Sequence, residues 1–150
     1  MEILFEEKQK FNQWWLWVIL LVFPFLSVVP FDGNAINYNY VLIGIAIPLI
    51  FYFFELRTFV TKEGLHYQFF PFHFKKHLIK IEEIEKTEAL QYKPLGDYGG
   101  WGIRYGFKGK AYNVSGNKGV KVHLSNERNV LFGSQKYKEL EKALKQIKKQ

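Results

Sequence analysis

The stretch Trp14-Trp15-Leu16-Trp17-Val18-Ile19-Leu20-Leu21-Val22-Phe23-Pro24-Phe25-Leu26-Ser27-Val28-Val29 carries no charge and lies within a charge-free run from Phe11 to Phe31. A second run, Val41-Leu42-Ile43-Gly44-Ile45-Ala46-Ile47-Pro48-Leu49-Ile50-Phe51-Tyr52-Phe53-Phe54, follows the single charge of Asp32 and ends at Glu55. As helices, about 20 residues rising ~1.5 Å each cross the ~30 Å hydrocarbon layer of a bilayer. Neither run has the polar stripe of a helix that rests on a soluble core, and Pro24 and Pro48 are tolerated in membrane spans. The reading is therefore a transmembrane helical hairpin over residues 11–56, with spans at about 12–30 and 38–56. A cleaved signal peptide is disfavoured, because the leader contains Glu2, Glu6 and Glu7 where a basic segment belongs.

Charge at the ends of the two runs gives an orientation. The connector over residues 30–39 has no Lys or Arg, whereas Lys8 and Lys10 precede the first run and Arg57 and Lys62 follow the second. By the positive-inside rule both termini face the cytoplasm, so the expected location is the inner (plasma) membrane, multi-pass, with residues 1–10 as a cytoplasmic N-terminal segment. Trp14, Trp15 and Trp17 then mark the inner interface, and Tyr38 and Tyr40 the outer one. Gly44 and Ala46 permit the two helices to approach closely. The spans hold no ionisable residue, which points to an anchor and away from transport.

Beyond Glu55 the composition changes. Residues 57–150 hold 19 of the 21 Lys and Arg residues and nine of the 14 Asp and Glu residues, and the chain has no Cys. Thiolate nucleophiles, disulfides and Cys-ligated metals are excluded, and the positive surplus favours anionic partners. Alternating apolar residues predict strands at 56–61, 65–70, 72–79, 84–92, 102–107, 120–124 and 129–132, with Lys62-Glu63-Gly64 as a hairpin turn. After Ser134 as a cap, a helix is predicted over residues 135–149, with Tyr137, Leu140, Leu144 and Ile147 on one face. Its other face is a basic row of Lys136, Lys138, Lys142, Lys145 and Lys148.

About seven strands closed by a C-terminal amphipathic helix is the element order of a pleckstrin-homology-like (PH-like) domain. The layout, the segment Ile81-Glu82-Glu83-Ile84, and the tracts Gly99-Gly100-Trp101-Gly102-Ile103-Arg104-Tyr105-Gly106 and Tyr112-Asn113-Val114-Ser115-Gly116-Asn117-Lys118-Gly119-Val120 resemble uncharacterised bacterial two-span membrane proteins that carry such a domain. The resemblance implies an α+β membrane protein: the hairpin, then a cytoplasmic PH-like β-sandwich or partly open barrel over residues 57–150. The inositol-phosphate site of lipid-binding PH domains uses several cations on the first two strands. Here that region offers only Arg57 and Lys62.

Single motifs say less. The Gly-rich tract over residues 96–109 fits neither dinucleotide nor Walker patterns, so it reads as a wide loop and an entering strand. Within it Tyr98, Trp101, Arg104 and Tyr105 form a candidate binding surface, since flanking glycines let a partner approach the backbone. Lys75 and Lys76, set among Phe69, Phe70, Phe72 and Phe74, are candidate membrane-interface residues. His73 and His77 are four apart, but the segment reads as a strand and no third ligand follows, so no metal site is assigned. No nucleophile stands beside a base, and no cofactor motif is present. The expectation is a non-enzymatic, membrane-anchored interaction or scaffold module whose partners are the lipid bilayer, a protein, or an anionic phospholipid. The alternative is a membrane-bound enzyme of lipid or envelope metabolism, its pocket at the loop over residues 99–105. Nucleic-acid binding rests on charge alone and is the weakest reading.

Overall fold

The structure, a computed structural model, describes residues 2–28 and 38–149. The chain forms two compact units: Met1–Gln9 with Glu55–Gln150, and the inserted segment Lys10–Phe54. The connector expected over residues 30–39 falls almost wholly outside the described residues.

The inserted unit contains two helices, α1 (Trp14–Val28) and α2 (Tyr38–Phe53). They pack closely where Gly44 meets Pro24: a Cβ added at Gly44 would lie 2.6 Å from the Pro24 Cβ. Phe11 is buried against the rings of Phe51 and Phe54, with centroids at 5.5 and 5.8 Å. The Trp17 indole N–H donates to the Phe11 carbonyl at 2.8 Å. Both helices expose apolar side chains, among them Val18, Leu21, Phe25, Leu42, Ile45 and Leu49, while Leu20 and Pro24 of α1 and Val41, Gly44 and Pro48 of α2 are half-buried.

The second unit holds nine strands among the described residues. One sheet has the order β1-β2-β3-β4, formed by β1 (Ile3–Lys10), β2 (Glu55–Thr61), β3 (Gly64–Phe70) and β4 (His77–Lys80). The other has the order β5-β8-β9-β7-β6, formed by β5 (Ile84–Gln91), β6 (Gly102–Gly106), β7 (Gly109–Asn113), β8 (Lys118–Leu124) and β9 (Asn129–Gly133). A short helix α3 (Pro94–Tyr98) joins β5 to β6, and α4 (Tyr137–Lys148) closes the chain. The alternation that predicted strands now has a cause: Leu56, Val60, Leu65, Phe69, Val120, Val122 and Phe132 are fully buried. From α4, Leu140, Ala143, Leu144 and Ile147 join this core. Each buried Leu or Ile contributes roughly 1.5–3 kcal/mol.

Several expectations are corrected. Among the described residues no helix is long and apolar enough to cross a membrane. Within the described residues α1 has 15 and α2 has 16, about 22 and 24 Å of helix against the ~30 Å core. The transmembrane hairpin, the multi-pass inner-membrane location and the fold class built on them are therefore withdrawn. The physical reason lies at the ends of the apolar runs. Phe11 is packed before α1 begins, and Leu56, counted into the second span, is a fully buried residue of strand β2.

The β unit also departs from a seven-stranded PH-like barrel. It is two sheets, of four and five strands, and β7 runs parallel to β9. Residues 3–10, read as a lead-in segment, form β1 in the first sheet. The tract around Tyr112, to which no strand was assigned, contains β7. The strand expected over 72–79 shortens to His77–Lys80.

Candidate functional site

The site is built around the β6–β7 hairpin and begins with α3, which fastens it. Pro94 opens α3 and Gly99 ends it in the left-handed region, at φ 72°. The Asp97 carboxylate accepts the Lys93 backbone N–H at 2.9 Å and pairs with Lys108 Nζ at 2.9 Å. The Lys93 N–H first, then Lys108, hold that carboxyl below its ordinary range. Gly106 sits so close beneath α3 that an added Cβ would lie 2.3 Å from the Asp97 carbonyl oxygen. Two points of attachment, at Gly106 and Lys108 on either side of Phe107, thus tie the hairpin tip to α3.

Gly106 pairs with Gly109, leaving Phe107 and Lys108 as a two-residue turn. Phe107 is fully exposed at this tip, with relative accessibility of 107%. Behind it Lys110 lies over two rings, 5.0 Å from the Tyr105 centroid and 4.7 Å from that of Tyr112. Such cation–π contacts hold an ammonium in place without neutralising it. An open depression of about 900 Å³ surrounds the hairpin, lined by Tyr67, Tyr105, Lys110, Lys121 and Arg128 among others. Lys108 has Asp97, whereas Lys110, Lys121 and Arg128 have no carboxylate within ion-pair distance among the described residues. The acid in the lining is Glu127.

The floor of the site is aromatic. Tyr67 of β3 meets Tyr112 of β7 at 4.8 Å and Phe132 of β9 at 5.1 Å, so the rings bridge the two sheets. Burial, then a hydrogen bond with Tyr67, raises the Tyr112 hydroxyl well above the usual tyrosine range. His73 and His77 stand beside this floor with ring centroids 4.4 Å apart. His73 Nδ1 accepts the Phe69 N–H at 3.4 Å. Burial, then the neighbouring His77 and Lys110, lower the pKa of His73. Among the described residues no group of three His, Asp or Glu is placed to hold a metal.

The four residues singled out in the sequence take separate places. Tyr98 is buried in a small core with Tyr92, Ala111 and Leu131. The Trp101 indole N–H donates to the Gly116 carbonyl at 2.9 Å. Arg104 Nε donates to the Trp101 carbonyl at 2.8 Å. Of the four, Tyr105 lines the depression. Trp14 and Trp15 are exposed on α1. Lys75 and Lys76 lie in the exposed β3–β4 loop, with Lys76 Nζ 5.1 Å from the Phe59 centroid.

Sequence reasoning passed over Phe107, Lys110, Lys121 and Arg128. The bracket Gly106-Phe107-Lys108-Gly109 was the available signal, since two residues between glycines suit a tight hairpin. Comparison with known families finds no matching family model, and no curated protein matches the chain.

Proposed function

We propose that this protein is a non-catalytic interaction module whose β unit binds an acidic segment of a partner protein at the β6–β7 hairpin. The observation that carries the reading is Phe107. A fully exposed Phe on a tip clamped by Asp97 and Gly106 adds nothing to the fold, but it suits an interface anchor. Around it Lys110, Lys121 and Arg128 outnumber the one carboxylate of the lining, Glu127, and this surplus of positive charge favours an acidic partner and speeds its approach. Aromatic and Arg enrichment beside apolar contact is the composition of interface centres.

The test is a titration of the full chain against a labelled, capped octapeptide of glutamate and threonine with a terminal leucine, read by fluorescence anisotropy. Saturable binding that weakens with salt is expected, with a loss of about tenfold in affinity for Lys110→Glu combined with Arg128→Glu. Phe107→Ser should weaken binding without changing the salt slope. Absence of saturable binding, or equal binding by the charge-reversed variant, overturns the proposal. So does stronger binding of a single-stranded oligonucleotide of equal charge, which would make the positive charge a nucleic-acid surface.

A further inference from the structure

The two sheets have four edge strands, and three of them are managed. The β5 edge is covered by α4: Ala89 N–H donates to Glu141 Oε1 at 3.0 Å, and Lys148 Nζ donates to the carbonyls of Ile84 and Glu85. Strand β4 is short, His77–Lys80, and runs directly into a 3-10 turn at Ile81–Glu83. Strand β1 turns polar side chains inward, where Glu7 receives Ser134 Oγ–H and Gln9 donates to the Gly133 carbonyl. Short strands, inward polar groups and covering elements are the devices that keep an edge from pairing.

Strand β6 is also short, at five residues, and α3 packs over one face of it at Gly106, but among the described residues no strand pairs with its outer edge and no inward charge blunts it. It is the last strand of its sheet and pairs on one side, with β7. Gly102 directs its N–H inward, to Asn113 Oδ1 at 2.9 Å. Alternation along an antiparallel ladder then turns the N–H and C=O of Ile103 and Tyr105 outward. Gly102 and Gly106 bracket these two residues; neither has a side chain of its own, although at Gly106 the backbone of α3 occupies the face a side chain would take.

Resting on the interaction module proposed above, we infer that the partner's acidic segment binds as an added β-strand on the outer edge of β6. Its backbone would exchange hydrogen bonds with Ile103 and Tyr105, the mode in which main chain gives affinity and alternate side chains give specificity. Cations flank both faces of that edge: Arg104 on one face, and Lys110 beside Tyr105 on the other. A strand entering there meets positive charge whichever way its side chains point, so a run of acids fits better than an alternating pattern. An apolar residue at the hairpin end of the segment would reach Phe107.

The same geometry disfavours a second copy of this chain. Two β6 edges using both Ile103 and Tyr105 must pair Ile103 with Tyr105 across a twofold axis. That register places Arg104 opposite Arg104 in a close, non-hydrogen-bonded pair, and like charges there repel.

Backbone chemistry separates this inference from the proposal beneath it. The full chain is titrated with the octapeptide and with the same peptide N-methylated at alternate residues, and amide hydrogen exchange is followed residue by residue. Strand addition is expected to slow exchange at Ile103 and Tyr105 by tenfold or more and to lose binding with one of the two N-methylated phases. Salt-dependent, Lys110-dependent binding with unchanged exchange at both amides, and indifference to either methylation pattern, overturns the inference and leaves the interaction module standing. Failure of the unmodified peptide to bind overturns both. Protection of Ile103 and Tyr105 without peptide, together with a dimer in sedimentation, overturns it in favour of self-pairing.

Discussion

Replacing Glu7 by Ala tests whether the first residues of the chain belong to the β unit. Glu7 lies on β1, and its carboxylate accepts Ser134 Oγ–H at 2.5 Å and the Gln135 N–H at 3.0 Å. Ser134 is fully buried and its Oγ also receives the Lys136 N–H at 3.0 Å, so this cluster sits where β9 passes into α4. Hydrogen bonds to a charged acceptor contribute roughly 1.5–3 kcal/mol each. Relief of the carboxylate's own desolvation offsets part of the loss, which leaves about 3 kcal/mol for Glu7→Ala. With a urea dependence near ~2 kcal/mol/M, the unfolding midpoint should fall by about 1.5 M. Glu7→Gln keeps an acceptor at Oε1 and loses the charge, so its midpoint should fall by about 0.5 M. Glu6→Ala is the control: its neighbour is exposed and its contact with Lys8 is 3.8 Å long, so its effect should stay within ~0.5 kcal/mol. Circular dichroism in urea reads all three. Equal midpoints for Glu7→Ala and Glu6→Ala would refute the placement of β1 in this sheet.

Four further changes probe the packing of the β unit. Gly106→Ala drives a methyl onto the Asp97 carbonyl and should destabilise by about 1–3 kcal/mol; a melting temperature within error of the parent would show that α3 does not rest on the hairpin. Asn113 is fully buried, donates to the Tyr92 hydroxyl at 3.0 Å and accepts the Gly102 N–H, so Asn113→Ala should cost about 2–3 kcal/mol. In the parent protein burial pushes Tyr92 up to about 12, and a tyrosine titrating near 10 in ultraviolet absorbance that disappears in Tyr92→Phe would contradict that packing. His66 and His73 both have lowered values in the folded chain, burial being the first cause for each. The unfolded chain binds protons more readily below its value of about 6.5, so stability present above that pH is lost as pH falls towards the lowered folded values. Melting at about pH 7.5 and about pH 5 should show this acid loss in the parent and a smaller one in His66→Gln with His73→Gln; equal losses would exclude these rings.

How much of this was legible in the residues depends on what each pattern reports. The expected strands β2, β3, β5, β6, β8 and β9 are present, and for most of them the signal was apolar inward residues, as it was for the stripe on α4. Strand β1 has the same period of two, but its inward residues are Phe5, Glu7 and Gln9. Two of those three are polar, so hydrophobic periodicity is blind to a strand that hydrogen bonds to Ser134 and Gly133 hold in place. The charge-free runs misled in the opposite direction. An apolar run counts residues that avoid water, whereas a membrane span requires them to lie in one helix, and Phe11 and Leu56 avoid water in other ways.

The edge proposed for binding was half legible for a related reason. The glycines of residues 99–106 drew attention to this segment, and Tyr105 lies on the edge proposed for binding. The charges that make the place selective lie on β7, β8 and the β8–β9 turn, at Lys110, Lys121 and Arg128. Only strand register and the ring contacts of Lys110 bring them to one depression, and neither follows from spacing along the chain. An edge strand is also defined by what does not pair with it, so its identity emerges only when every neighbour is placed. For β6 this means that affinity should follow main-chain geometry at Ile103 and Tyr105, while selectivity follows cations distant in sequence. Substitutions of those cations should therefore shift partner preference and salt dependence without removing strand pairing, whereas a partner backbone unable to donate should fail against every charge variant alike.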